Sequence, residues 1–154
     1  MLRILTIAIT FICITASTQA QKNDKDLYKG FRPPKLYTSL AEYKDSVQLT
    51  VTEAKRIFSL PLKITDGGKT NIYKLSSYQF LYRKRNLIED EQGRRAVTNS
   101  TVSQLFRETP LDAIWIKTIN HDLKSGEELL FFDIIVKDAA GRVIYAPDVK
   151  ISVK

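Results

Sequence analysis

Leu129-Leu130-Phe131-Phe132-Asp133-Ile134-Ile135-Val136 is an apolar run broken by a single carboxylate. Its length suits a strand better than a helix, and the absence of polar alternation predicts a central strand covered on both faces. Asp133 is the residue to explain, because a carboxylate among apolar neighbours must be hydrogen-bonded, paired or at an edge. Pairing with a nearby Lys or Arg is the structural expectation, ahead of a catalytic role.

Downstream, Asp138-Ala139-Ala140-Gly141 is a tight-turn signal in which Gly141 can take a positive φ. Val143, Ile144 and Tyr145 resume a strand that Pro147 interrupts. Val149, Ile151 and Val153 then alternate with Lys150, Ser152 and Lys154, so the last strand has one buried and one wet face. Upstream, Tyr78, Phe80 and Tyr82 alternate with Gln79, Leu81 and Arg83, whereas Tyr73 and Leu75 lie on the opposite parity. A β-bulge across Ser76-Ser77 would return both sets to one face. Asp66-Gly67-Gly68 reads as a hairpin-type turn, and residues 86–93, with Glu89-Asp90-Glu91, as a solvated loop.

Two Ser/Thr-x-x-Glu spacings, Ser39 with Glu42 and Thr50 with Glu53, match a capping box. The second precedes Ala54, Ile57 and Phe58 and predicts a short helix over residues 51–59. Between residues 101 and 120 periodicity does not decide. Val102, Leu105 and Phe106 have helical spacing, while Ala113, Trp115 and Lys117 fit a strand or a helical turn. With no long periodic helix between strands, the fold class is mainly β: an antiparallel two-sheet sandwich with one or two short helices.

The N-terminus has the order of a secretory signal peptide: Arg3, an apolar run over residues 4–14, then small residues up to Ala20. Residues 1–20 are read as that leader. The apolar run is short for a bilayer span, so no membrane span is expected after cleavage. Cys13, the single cysteine, falls inside it. Lipid attachment there is disfavoured by the bulky Ile12, and the remaining chain can form neither a disulfide nor a thiolate nucleophile. Residues 21–38, with Pro33-Pro34, read as a polar, extended leader, and residues 39–154 as one β-rich domain. The formal charge of +7 permits weak attraction to anionic surfaces without establishing it, and solvating charge spread over the surface is the plainer reading.

Catalytic patterns are sparse. His121 is the single histidine, so a zinc site lacks companion donors, and its plain reading is an exposed loop residue. No serine sits in a Gly-x-Ser-x-Gly elbow, and Gly67-Gly68 lacks the Lys-Ser/Thr of a phosphate loop. Glu89-Asp90-Glu91 and Glu127-Glu128 are paired carboxylates in apparent turns, where solvated charge is the default. Arg83-Lys84-Arg85 beside Tyr78 and Tyr82 could join charge to stacking, which makes these five residues the candidate interaction surface.

Lys124-Ser125-Gly126-Glu127-Glu128 running into the apolar strand, then Lys137-Asp138-Ala139-Ala140-Gly141-Arg142 and Val149-Lys150-Ile151-Ser152-Val153-Lys154, resembles the ending of the GldM C-terminal domain family. Tyr73-Lys74-Leu75-Ser76-Ser77-Tyr78-Gln79-Phe80 is similar to an upstream strand of that domain. The resemblance covers roughly residues 50–154. It implies an immunoglobulin-like sandwich in the envelope of a Gram-negative bacterium of the gliding or type IX secretion group. This chain has a cleavable leader where that family has a membrane anchor, so a motor role does not transfer. The resulting expectation is an exported, periplasmic or outer-envelope module. It would be non-enzymatic, need no cofactor or metal, bind no nucleic acid, and contact cell-envelope proteins. The alternatives are a small hydrolase using Asp133, His121 or the acidic loop, and a binder of glycans or anionic surfaces.

Overall fold

Thr50 begins the first regular helix because its hydroxyl accepts from the Glu53 amide while the Glu53 carboxylate accepts from the Thr50 amide at 2.9 Å. This realised capping box starts α1 (Val51–Ile57), which buries Ala54 and Ile57, with Phe58 buried at its C-cap. The other spacing, Ser39 with Glu42, caps nothing. Ser39 lies in a strand, and the chain reverses at Ala41, whose φ is +55°.

The computed structural model describes residues 27–67, 73–89 and 91–154. The expected signal peptide, Cys13 and most of Asp66-Gly67-Gly68 onward to residue 72 lie outside that description, as does Asp90. The strands are β1 (Tyr37–Leu40), β2 (Tyr43–Lys44), β3 (Ser46–Leu49), β4 (Leu62–Thr65), β5 (Lys74–Glu89), β6 (Arg95–Phe106), β7 (Glu128–Lys137), β8 (Val143–Ala146) and β9 (Val149–Val153). The second helix, α2, is Ala113–Asp122, with Asp112 as N-cap.

The architecture is mainly β, with half of the described residues in strands, arranged as two sheets that share one core. One sheet has the order β2-β1-β4 and the other β3-β9-β7-β5-β6, with β8 also on β7. Pairing is antiparallel except for β3 beside β9, so the expected all-antiparallel sandwich carries one parallel pair. Leu40, Leu62 and Ile64 of the smaller sheet join Phe80, Phe131, Ile134 and Ile151 of the larger one in the core.

Strand β7 corrects the reading of its apolar run. Leu129, Phe131, Ile134 and Val136 are buried, while the alternate residues are only partly covered, so the run has one core face and not two. The buried parity switches at Asp133, which is exposed and has a φ of +49°. There β7 carries an extra residue: β5 advances from Ser77 to Gln79 while β7 goes from Ile135 back to Phe132. A second shift lies between Leu75 and Ser77, the bulge expected at Ser76-Ser77. One bulge on each strand returns both apolar sets to the same face. Asp133 is held by the Gln79 amide, which donates at 3.1 Å, in place of the expected Lys or Arg.

Three further expectations change. Residues read as a leader pack on the domain: Leu36 is buried, the Tyr28 hydroxyl accepts from the Val143 amide at 2.8 Å, and the Arg142 guanidinium lies 3.8 Å from the Phe31 ring centre. The connection after β4 is not a hairpin, since β4 and β5 belong to different sheets. The undecided stretch is both things in turn: residues 101–106 are strand and α2 is helix. The turn at residues 138–141 forms as expected, with Gly141 at φ +84°. No described helix is long and apolar enough to cross a membrane.

Candidate interaction surface

Strand β5 is longer than the sheet that supports it. It pairs with β7 only as far as Arg83 opposite Glu128, yet continues to Glu89 paired with β6 alone. Residues 84–89 and 95–100 therefore form a two-stranded ribbon that leaves the body of the sheet. The loop expected over residues 86–93 is strand up to Glu89, and the Glu89 carboxylate closes the ribbon's end by accepting from Arg95 at 3.2 Å.

Register fixes what the ribbon displays. Tyr78, Phe80 and Tyr82 face the core, so even-numbered residues of β5 and their partners Phe106, Gln104 and Val102 on β6 share that face. Beyond the Ser76-Ser77 bulge, odd-numbered residues of β5 face outward. Every residue of β6 but Phe106 is exposed, which is why its sequence shows no alternation. Leu87 and Val97, opposite one another on the outer face, are 63% and 49% exposed, and Ile88 on the inner face is 51% exposed. Val102 and Leu105 add apolar surface further down β6. Scattered apolar side chains are ordinary; Leu87 and Val97 differ in being direct cross-strand neighbours on one face of the ribbon, which makes that pair the candidate contact point.

A buried carboxylate anchors this hairpin. Glu127 is 3% exposed and accepts from the Tyr82 hydroxyl at 2.5 Å, the Lys124 amide at 2.9 Å and the Arg85 amide at 3.1 Å. Three donors satisfy the charge that burial would otherwise penalise. Burial, reinforced by Glu127, raises the Tyr82 hydroxyl pKa, so it remains a donor. The reading of Glu127-Glu128 as solvated turn charge is thus corrected for Glu127. The signal in the sequence was thin: an acid beside Gly126, directly before a buried strand.

The five residues singled out in the sequence separate. Tyr78 and Tyr82 are fully buried, and burial raises the Tyr78 pKa as well. Their rings serve the core: Tyr78 stacks on Phe106 at 5.5 Å and lies 5.9 Å from Phe131. Tyr78 offers no face to a ligand, and the Tyr82 ring is covered by the Lys84 ammonium, which removes the expected stacking platform. Arg83 faces outward and donates to Glu128 at 2.6 Å, while Lys150 reaches the other oxygen of that carboxylate at 2.7 Å. Lys84, on the inner face, donates to Asp122 at 2.7 Å and lies over the Tyr82 ring. Arg85 is exposed, and its side chain runs past Gly126.

Beneath the inner face of β6 lies an open groove of about 290 Å³, lined by Tyr82, Lys84, Val102, Ile114, Trp115 and Thr118. Trp115 is fixed by its indole N–H, which donates to Gln104 at 2.7 Å, and by edge contacts with Phe80 and Phe106. Ile114, 77% exposed, forms the rim. At the other end of α2, Asp122 meets both His121 Nδ1 and Lys84 at 2.7 Å. The His121 bond and then the Lys84 ammonium bring its carboxyl down to about 2. Asp133 is held at Gln79, apart from this pair, so the residues of the hydrolase alternative are not brought together. Among the described residues no group of three or more His, Cys, Asp or Glu side chains could hold a metal. No family model matches the chain, and no curated protein matches it.

Proposed function

We propose that this chain is an exported cell-envelope module that works by protein–protein contact through the β5–β6 hairpin, without chemistry of its own. The observation that carries the reading is the ribbon beyond Arg83, which presents Leu87, Ile88 and Val97 to solvent on strands that pair, among the described residues, only with each other. A structure that orders a ribbon and leaves its apolar residues uncovered forgoes burial worth about 1.5–3 kcal/mol per large side chain. A bound protein surface recovers that energy. The leader-like N-terminus supports export, and the GldM-like turn and strand motifs support an envelope setting.

The test is site-specific photo-crosslinking in cells from position 87 or 88. One defined envelope protein is the expected adduct, and Val97→Asp, which leaves the crosslinker at 87 or 88 in place, abolishes it while the melting temperature stays unchanged. Adducts of the chain with itself alone, or none at all, refute the reading.

A further inference from the structure

We infer that the open edge of β6 pairs antiparallel with β6 of a second copy, making a two-fold dimer with one sheet continuous across both chains. The inference rests on the proposed use of the hairpin as a contact surface and names the occupant of its outer strand.

The main chain decides where bonding groups point. The Arg85 amide donates to Glu127, on the β7 side of β5, and alternation then turns Lys84 and the other even residues of β5 toward β6. Lys84 lies opposite Ser100 and Tyr82 opposite Val102, so the even residues of β6 bond back to β5. Val97, Asn99, Thr101, Ser103 and Leu105 therefore aim their amides and carbonyls at the free edge. Among the described residues no strand lies along that edge.

Soluble proteins protect such an edge with Lys, Pro, a bulge or a short strand. Strand β6 is 12 residues long, residues 96–105 contain no ionisable residue, proline or glycine, and its pairing with β5 has no register shift. An unguarded edge of this kind pairs with any compatible strand, and the strand always present at equal concentration is its own copy.

The sequence is also self-complementary in one register. A two-fold axis normal to the sheet keeps each residue's face, so it pairs residues of the same parity. With the axis at Thr101, Val97 lies across from Leu105 of the second copy, and Leu105 across from its Val97. Asn99 meets Ser103, and Thr101 meets Thr101. On this outer face apolar pairs with apolar and amide with hydroxyl, the combinations that stabilise neighbouring strands; on the inner face the same register sets Ala96 against Phe106, Thr98 against Gln104 and Ser100 against Val102. Moving the axis by one residue, to Ser100, puts Val97 against Ser103 and loses the match. The one like-charge approach, Arg95 toward Arg107, falls at the strand ends, and Arg95 is already paired with Glu89.

The experiment is sedimentation of the purified full chain over a range of concentrations, with thermal melts as a folding control. Wild type is expected to dimerise reversibly. Thr101→Lys and Thr101→Glu each place like charges across the axis and should raise the dissociation constant by about tenfold or more. An equimolar mixture of the two variants should restore the dimer, a rescue available only where position 101 meets itself. Val97→Lys, away from the axis, should weaken the wild-type dimer without this rescue. A monomeric wild type at every concentration, or a dimer indifferent to both Thr101 variants, overturns the inference. A monomer that still crosslinks an envelope protein from positions 87 and 88 refutes self-pairing while sustaining the contact reading. A Thr101-dependent dimer that captures nothing refutes the contact reading and sustains self-pairing.

Discussion

Replacing Glu127 by alanine removes the acceptor shared by Tyr82, Lys124 and Arg85 and leaves three donors behind, the Tyr82 hydroxyl among them fully buried. A hydrogen bond to a charged group contributes about 1.5–3 kcal/mol, and each buried donor left unpaired costs about 1–3 kcal/mol. Against this stands the desolvation penalty of the carboxylate, which the substitution also removes. The balance is a loss of about 3 kcal/mol, or roughly 6–12 °C in melting temperature for a domain of this size. Glu127→Gln retains one acceptor oxygen and should lose about 1–3 kcal/mol. Tyr82→Phe spares the two backbone donors and should lose about 1–2 kcal/mol. The double substitution, Glu127→Gln with Tyr82→Phe, should fall short of the sum by a coupling energy of about 0.5–3 kcal/mol. Urea unfolding followed by Trp115 fluorescence measures all four, because Trp115 packs on Phe80 and Phe106 and reports on the same core. If Glu127→Ala and Glu127→Gln both unfold within about 0.5 kcal/mol of wild type, the anchoring argument is wrong.

The acid limb of stability should depend on Asp122 and Asp138. The Asp122 carboxyl is lowered to about 2 by His121 and Lys84. Burial pushes Asp138 up, but hydrogen bonds from Arg142 and Ala140 outweigh it and leave a net lowering. A depressed folded-state pKa gives stability that is complete above the ordinary carboxylate range and drains away as pH falls from about 4 toward about 2. Lys84→Met should raise the Asp122 midpoint in a carboxyl NMR titration, and an unmoved midpoint would show that Lys84 is irrelevant to it. Phe80→Ala empties the ring cluster of Phe106, Trp115 and Phe131 and should cost about 3–5 kcal/mol by denaturant titration. Gly126 has a φ of +86°, and a Cβ there would lie 2.9 Å from the Arg85 side chain, so Gly126→Ala should cost about 1–2 kcal/mol and disturb the Arg85 amide resonance.

Legibility in the sequence followed burial. Strand β9, the Thr50 capping box and the bulge at Ser76-Ser77 were readable because each leaves a local mark: a period of two, a three-residue spacing, a switch of parity. The run at residues 129–136 misled for a related reason. A bulge at Asp133 moves the apolar set from odd to even positions, and the overlap looks like a strand apolar on both faces. Strand β6 was illegible because period-two alternation is written by one-sided burial, and β6 has almost none. Its Val102, Leu105 and Phe106 spacing mimicked a helix by coincidence. The candidate site was half legible: Arg83, Lys84 and Arg85 do mark the place where the hairpin leaves the body, whereas Tyr78 and Tyr82 carry the very alternation that commits them to the core. Glu127 could not be found from spacing, since its three donors come from residues 3, 42 and 45 positions away.

Anchor and ribbon meet at one residue pair. The last β5 residue paired with β7 is Arg83, and two positions further the Arg85 amide finds Glu127 in place of a backbone carbonyl. The carboxylate thus takes over where the sheet stops, supplying the acceptor that β7 is too short to provide. An unsupported two-stranded ribbon is marginal in water by itself, so its order depends on how firmly its base is held. Loosening that base should be felt along the hairpin before it is felt elsewhere. Amide hydrogen exchange in Glu127→Gln should therefore accelerate in residues 84–89 and 95–100 well beyond the change at β9. Uniform acceleration across both would mean that Glu127 stabilises the core alone and has no particular hold on the surface proposed to make contact.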